Sequence, residues 1–199
     1  MSSPVCGYLP ARGWSAHLSP VNFRLIVFSW LALQAAARVV GAGATPFDLD
    51  AVEVRYGFGD HHSDSGFHHA AAAAGFRTPL SGAVTKSWEL RTRLDLAAGW
   101  MGRNAADATF FSLGPLLTLA PRGFPLTFEA GVSPTLVSEN VFGDKNIGGR
   151  FQFTDTIGAG LQLSPRIRLG YHFVHISNAG IYERNPGVNF HVFTLGWRF

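Results

Sequence analysis

From Leu49 onward the apolar residues recur at every second position, not every third or fourth. Val52, Val54, Tyr56 and Phe58 share one parity, while Glu53, Arg55 and Gly57 take the other. Leu94, Leu96, Ala98 and Trp100 alternate with Arg93, Asp95, Ala97 and Gly99. Phe124, Leu126, Phe128, Ala130 and Val132 alternate with Thr127, Glu129, Gly131 and Ser133, and Phe193, Leu195, Trp197 and Phe199 with Thr194, Gly196 and Arg198. A two-residue period with one apolar face is the signature of a half-buried strand. Eight such segments can be counted, at roughly 49–59, 67–77, 90–101, 107–119, 124–137, 150–162, 166–177 and 189–199. Most are near the length of about 9–11 residues that crosses a bilayer as a tilted strand. The second is the weakest, because Ala70 to Ala74 carries no alternation and reads equally as helix.

Alternation alone leaves two barrels open. In a soluble barrel the apolar face points inward around a ligand; in a membrane barrel it points to lipid and the polar face fills the lumen. The connections favour the second. Stretches 60–66, 102–106, 138–149 and 178–188 are polar or glycine-rich, whereas 120–123 and 164–165 are tight, the asymmetry of outer loops against periplasmic turns. The 78–87 connection is longer than that rule prefers. The last residue is Phe199, on one face with Trp197, Leu195 and Phe193. Such an aromatic final strand resembles the recognition signal of bacterial outer-membrane barrels. The expectation is an all-β chain, an eight-stranded antiparallel transmembrane barrel over 45–199, with both of its ends in the periplasm. Closure removes the strand edges that lipid could not satisfy.

The stretch before the barrel reads as an export signal. Arg12 and Arg24 precede the apolar run 25–33, and small residues follow at 35–37 and 42–44. Charged, apolar, then small is the order of a secretory signal. The run is short for a membrane helix, which needs about 20 apolar residues. Residues 1–44 are therefore expected to be a signal peptide, with cleavage near Ala37 or Ala44. Cys6, the one cysteine, lies before the apolar run, so the mature chain has no thiol for a disulfide, a metal site or a lipid anchor. The net charge is only +3 and no basic stripe is present, which argues against a nucleic-acid partner.

One polar tip stands out on this greasy frame. Leu169, Tyr171, Phe173, His175 and Ser177 share a parity, and by the same argument that face looks at lipid. A polar group facing lipid is costly unless satisfied. Either His175 and Ser177 sit in the interfacial girdle, or they do chemistry. If the last two strands form a hairpin with like faces paired, partners sum to about 364, which sets Asn189 opposite His175 and His191 opposite Phe173. On the other side, a sum near 328–330 sets Asp155 opposite Phe173 or His175. A serine hydroxyl needs an adjacent base, and the base needs a group that fixes its tautomer; an Asn carbonyl can do the latter. The Asn178 side chain and the Gly180 N–H are close enough in sequence to supply oxyanion donors.

The segment HISNAG at 175–180, with NPG at 185–187 and FQFTDTIGAG at 151–160, resembles the PagL family of lipid A deacylases. The resemblance implies an eight-stranded outer-membrane barrel that hydrolyses the 3-O ester-linked acyl chain of lipid A. It implies Ser177 as nucleophile, His175 as base, Asn178 and Gly180 as oxyanion hole, and Asp155 as a supporting polar residue. It also implies lipid A of lipopolysaccharide, in the outer leaflet, as partner. No metal or cofactor is expected, and the sequence allows a homodimer. One position departs: the family pattern has a Glu fourteen residues after the His, and here that position is Asn189. Glu183, in the loop, is an alternative acid. The competing functions are a non-enzymatic structural or adhesion barrel and an acyltransferase.

Two further clusters attract attention. Asp60, His61, His62 and Asp64, with His68 and His69, look like metal ligands but lack a diagnostic spacing. Lys145, Arg150 and Arg184 lie in or beside outer loops, either to pair with lipid A phosphates or to form a solvated rim.

Overall fold

The computed structural model describes residues 48–60, 64–78, 80 and 82–199. The expected signal peptide lies outside the described residues. Eight long strands follow in chain order: β1 Leu49–Gly59, β2 His68–Arg77, β3 Trp88–Arg103, β4 Ala106–Pro121, β5 Leu126–Val137, β6 Phe151–Gln162, β7 Ile167–Ser177 and β8 Val188–Arg198. Each pairs antiparallel with its chain neighbours, and β8 pairs with β1, so the sheet closes. Closure leaves no long strand edge unpaired, which hydrocarbon demands.

The parity read from sequence sets the two faces. Phe58, Phe111, Leu117, Phe128, Ile157, Leu169, Phe193, Leu195 and Trp197 are exposed on the outer wall. Glu53, Arg93, Asp95, Glu129, Arg168 and His172 are buried in the lumen. There the charges neutralise one another. Glu53 meets Arg55 at 2.8 Å and Arg93 at 2.7 Å, Asp95 meets Arg55 at 2.8 Å, and Glu129 meets Arg168 at 2.7 Å and His172 at 2.8 Å. An apolar outside around an ion-paired inside is the pattern of an outer-membrane barrel.

The alanine run is a strand, not a helix. β2 pairs along its length with both β1 and β3, so its backbone groups are satisfied in the ladder. Its missing alternation has a steric cause. A Cβ at Gly75 would stand 2.9 Å from the Arg93 side chain, and Ala71 borders the lumen beside Arg55 and Asp95. Small residues make room for the charge network. The 102–106 connection is also tighter than expected: Asn104 and Ala105, both at positive φ, form a two-residue hairpin turn.

The end of the barrel with the long loops is stoppered. Phe67, Met101, Phe142, Ile147, Ile176, Val188 and Phe190 form one buried apolar cluster. Phe67 meets Phe142 edge-on with ring centres 5.2 Å apart. This stopper fixes the two loops that reach the tip of β7. The opposite end opens into a vestibule of about 750 Å³ lined by Arg77, Arg91, Arg122, Glu89 and Asp50 among others.

Candidate active site

The β7–β8 ladder pairs His175 with Asn189 and Phe173 with His191, the register expected from sequence. On the other side Asp155 of β6 pairs with His175. Asp155, His175 and Asn189 therefore lie side by side across three strands, with Ser177 one pleat further toward the loop end of β7. His175 is half-buried, and Ser177 is 7% exposed although it shares the outward parity of Leu169 and Tyr171.

The ring of His175 is hydrogen-bonded at Nδ1 and packed along its Cε1–Nε2 edge. His175 Nδ1 and Asn189 Oδ1 are 2.7 Å apart. Asn189 in turn donates from Nδ2 to Asp64 Oδ2 at 3.2 Å, and from its backbone N–H to the same oxygen at 3.0 Å. A carboxylate accepts only, so the amide must turn its NH₂ to Asp64 and its oxygen to His175. In the neutral ring Nδ1 then carries the proton and donates it, which leaves the lone pair on Nε2. On the Nε2 side lies Gly187, whose φ is +62°. A Cβ there would come within 3.2 Å of Nε2 and 2.6 Å of Cε1. The Gly187 backbone thus packs against the ring edge in a way no side chain permits.

Asn178 is completely buried and fully bonded. Its Nδ2 donates to Ile147 O at 3.0 Å and Arg184 O at 2.7 Å. Its Oδ1 accepts the N–H of Gly180 at 3.0 Å and of Tyr182 at 3.4 Å. Its own N–H goes to Asn185 Oδ1 at 3.0 Å. Asn178 ties the turn after Ser177 to the 138–150 loop. Ala179 and Gly180 both adopt positive φ, and a Cβ built on Gly180 meets nothing within 4 Å, so this turn faces open space.

Glu183 stands in the loop as the sequence suggested, whereas Lys145 and Asp64 stand elsewhere. Glu183 is exposed in the loop, and the partner of His175 Nδ1 is Asn189. Lys145 is not on the rim: it is buried and pairs with Asp64 Oδ1. Asp64, of the look-alike metal cluster, is 2% exposed and bonded to Asn189, while His61 and His62 lie outside the described residues. The sequence placed Asp64 only among look-alike metal ligands and Gly187 only in the NPG motif, with no part at His175 for either. The Pro186-Gly187 pair marked a turn but not its contact with the ring, and Asp64 is 125 residues from Asn189 along the chain.

A deeper polar pair occupies the same wall. Tyr171 Oη and His191 Nδ1 are 2.7 Å apart, and His191 Nε2 lies 3.2 Å from Asp60 Oδ1. These contacts satisfy lipid-facing polar groups internally.

Comparison with known proteins follows the same lines. The profile described as lipid A 3-O-deacylase (PagL) matches residues 70–198. The lipid A deacylase PagL of Pseudomonas aeruginosa is 38% identical over 123 residues, 57% of this chain and 71% of that protein. The lipid A deacylase PagL of Bordetella bronchiseptica is 46% identical over 71 residues, 36% of this chain and 40% of that protein. The crystal structure of the outer membrane enzyme PagL superposes with a TM-score of 0.65 at 23% identity, covering 73% of this chain and 97% of that one, a likeness of fold.

Proposed function

The chain belongs to the lipid A 3-O-deacylase (PagL) family, and we propose that it hydrolyses the 3-O-linked acyl chain of lipid A with Ser177 as nucleophile. The observation that carries this is the hydrogen bond between His175 and Asn189 on the face of β7 that also bears Ser177. It fixes the imidazole with a free Nε2, the form a general base needs.

In the proposed cycle Ser177 Oγ attacks the ester carbonyl while His175 Nε2 accepts its proton. The acyl group passes to Ser177, and the imidazolium returns the proton to the 3-oxygen of the departing sugar. Water, deprotonated by His175, then attacks the acyl carbon; Ser177 Oγ leaves, takes the proton back from the imidazolium, and the free acid is released. Asn189 orients the ring and, being neutral, adds no charge to stabilise the imidazolium. The oxyanion is assigned to the turn at 178–180. The Gly180 N–H, now on Asn178 Oδ1, redirects to the stronger acceptor when charge develops. Asn178 holds that turn in shape. Asp155 is the polar neighbour of His175 on β6.

The place of the site suits a substrate that lives in the leaflet. The residues lie on the outer wall at the long-loop end of the barrel, so lipid A can arrive laterally with its ester at the level of β7's tip. The test is mass spectrometry of lipid A from cells expressing the chain or its Ser177→Ala variant. Loss of one acyl group, with release of the free acid, is expected only from the first. Transfer of the acyl group to another lipid without free acid would replace hydrolysis by transferase chemistry, and unchanged lipid A would overturn the enzyme reading.

A further inference from the structure

We propose that Asp64 is the acid of this active site, acting on His175 through Asn189 as a positioning residue; this rests on the hydrolase reading given above. Three observations carry it. Asp64 is buried shortly before β2, and its two carboxylate oxygens divide their work. Oδ1 is paired with Lys145, and Oδ2 receives both the Nδ2 and the backbone N–H of Asn189. Asn189 Oδ1 then meets His175 Nδ1 at 2.7 Å. The result is a single chain of contacts, Lys145 to Asp64 to Asn189 to His175, that begins in one outer loop, passes through a second and ends on β7.

The chemistry of the chain is asymmetric. An amide can present either end, and an imidazole can carry its proton on either nitrogen. A carboxylate has no such freedom, because it only accepts. Asp64 therefore fixes the Asn189 amide, and the amide fixes the His175 tautomer. The negative charge also lies one side chain from the imidazole, where it favours the imidazolium formed during catalysis. A strand Glu in place of Asn189 would touch the ring directly. This chain instead keeps a neutral amide on the strand and sets the carboxylate behind it in a loop.

That arrangement makes the two positions interdependent. In Asn189→Glu a second carboxylate would meet Asp64 in a buried place, and two carboxylates sharing a site cannot both ionise easily. Asp64→Asn removes the conflict and offers the new carboxylate an amide donor. The other groups around His175 stay constant in these variants: Asp155 from β6, and His191 with Asp60 one pleat deeper on the β8 and β1 side.

The experiment uses the mature chain in detergent with lipid A as substrate, each variant first checked for heat-modifiable migration as a sign of a closed barrel. Asp64→Asn is expected to lower kcat about 10–10²-fold with KM little changed, the cost of a mispositioned catalytic group. A merely structural role would instead lower the heat-modifiable fraction in step with activity, and would not confine the loss to kcat. Asn189→Glu alone should be impaired, and adding Asp64→Asn should recover at least about tenfold of the loss, a coupling expected of residues in one network. The double variant decides the matter even if Asp64→Asn alone folds poorly. A double variant no better than Asn189→Glu alone, with Ser177→Ala inactive, overturns the relay and leaves the hydrolase reading standing. An active Ser177→Ala overturns the hydrolase reading itself.

Discussion

Asn189 Oδ1 lies 2.7 Å from His175 Nδ1, and the same two residues face each other in the β7–β8 ladder. Backbone pairing and side-chain bonding coincide, so the sheet itself sets the contact. Removing the amide leaves the ring without its orienting acceptor but leaves the nucleophile and base in place. Asn189→Ala is expected to lose roughly 10–10²-fold in kcat, in line with misplacement of a catalytic group. Steady-state deacylation of lipid A in detergent micelles measures it.

Ser177→Ala and His175→Ala should each abolish deacylation while the barrel still closes. Neither side chain belongs to the lumen network or the apolar stopper that hold the sheet together. Mass spectra of lipid A report the chemistry, and gel migration before and after heating reports the fold. An unheated band that already runs as the unfolded chain would mean that the site residues carry stability as well.

How far the sequence alone reached depends on the range of the interaction. The strand set, the two faces and the His175–Asn189 pairing were legible because period two and hairpin register are local rules. β2 was ambiguous because alanine has no face to show; its strand is imposed by β1 and β3, and its small residues by the Arg93 side chain of neighbouring β3. Asp64 and Lys145 were hidden for a different reason. They join two loops that are 81 residues apart, and nothing local to either loop signals burial. Their charges read as solvated until the stopper of Phe67 and Phe142 covers them.

Gly187 offers a test of how tightly the His175 ring is held. Gly187→Ala introduces a Cβ at a φ of +62°, which costs about 1 kcal/mol for an L-residue, and places it 2.6 Å from His175 Cε1. Gly187 is buried, but the exposed stretch 183–186 before it can absorb the backbone cost. The ring cannot absorb the contact without leaving Asn189. Activity should fall by about 10² or more, as for a catalytic group displaced by an ångström, while thermal unfolding of the barrel shifts little. Equal loss of activity and stability would instead make Gly187 a residue of the loop's fold alone.

Asn178 separates shaping from direct stabilisation of the oxyanion. Its four side-chain contacts tie Gly180, Tyr182, Arg184 and Ile147 to one buried amide. Asn178→Ala leaves the carbonyls of Ile147 and Arg184 without this donor, at about 1–3 kcal/mol for buried groups left unsatisfied. The rate should fall about 10²–10³-fold, the scale of one lost oxyanion donor, because the Gly180 N–H loses its direction. Asn178→Asp refines the point. It keeps an acceptor for the Gly180 N–H but turns a carboxylate oxygen toward the Ile147 and Arg184 carbonyls, so it should disrupt the turn at least as much as the alanine. If Asn178→Asp keeps near-normal kcat, neither Nδ2 donor is needed and the Gly180 contact alone sets the turn. If Asn178→Ala lowers kcat while proteolysis of the 178–187 loop stays as slow as in the parent chain, Asn178 acts on the oxyanion directly, by releasing one of its two carbonyls when the substrate binds.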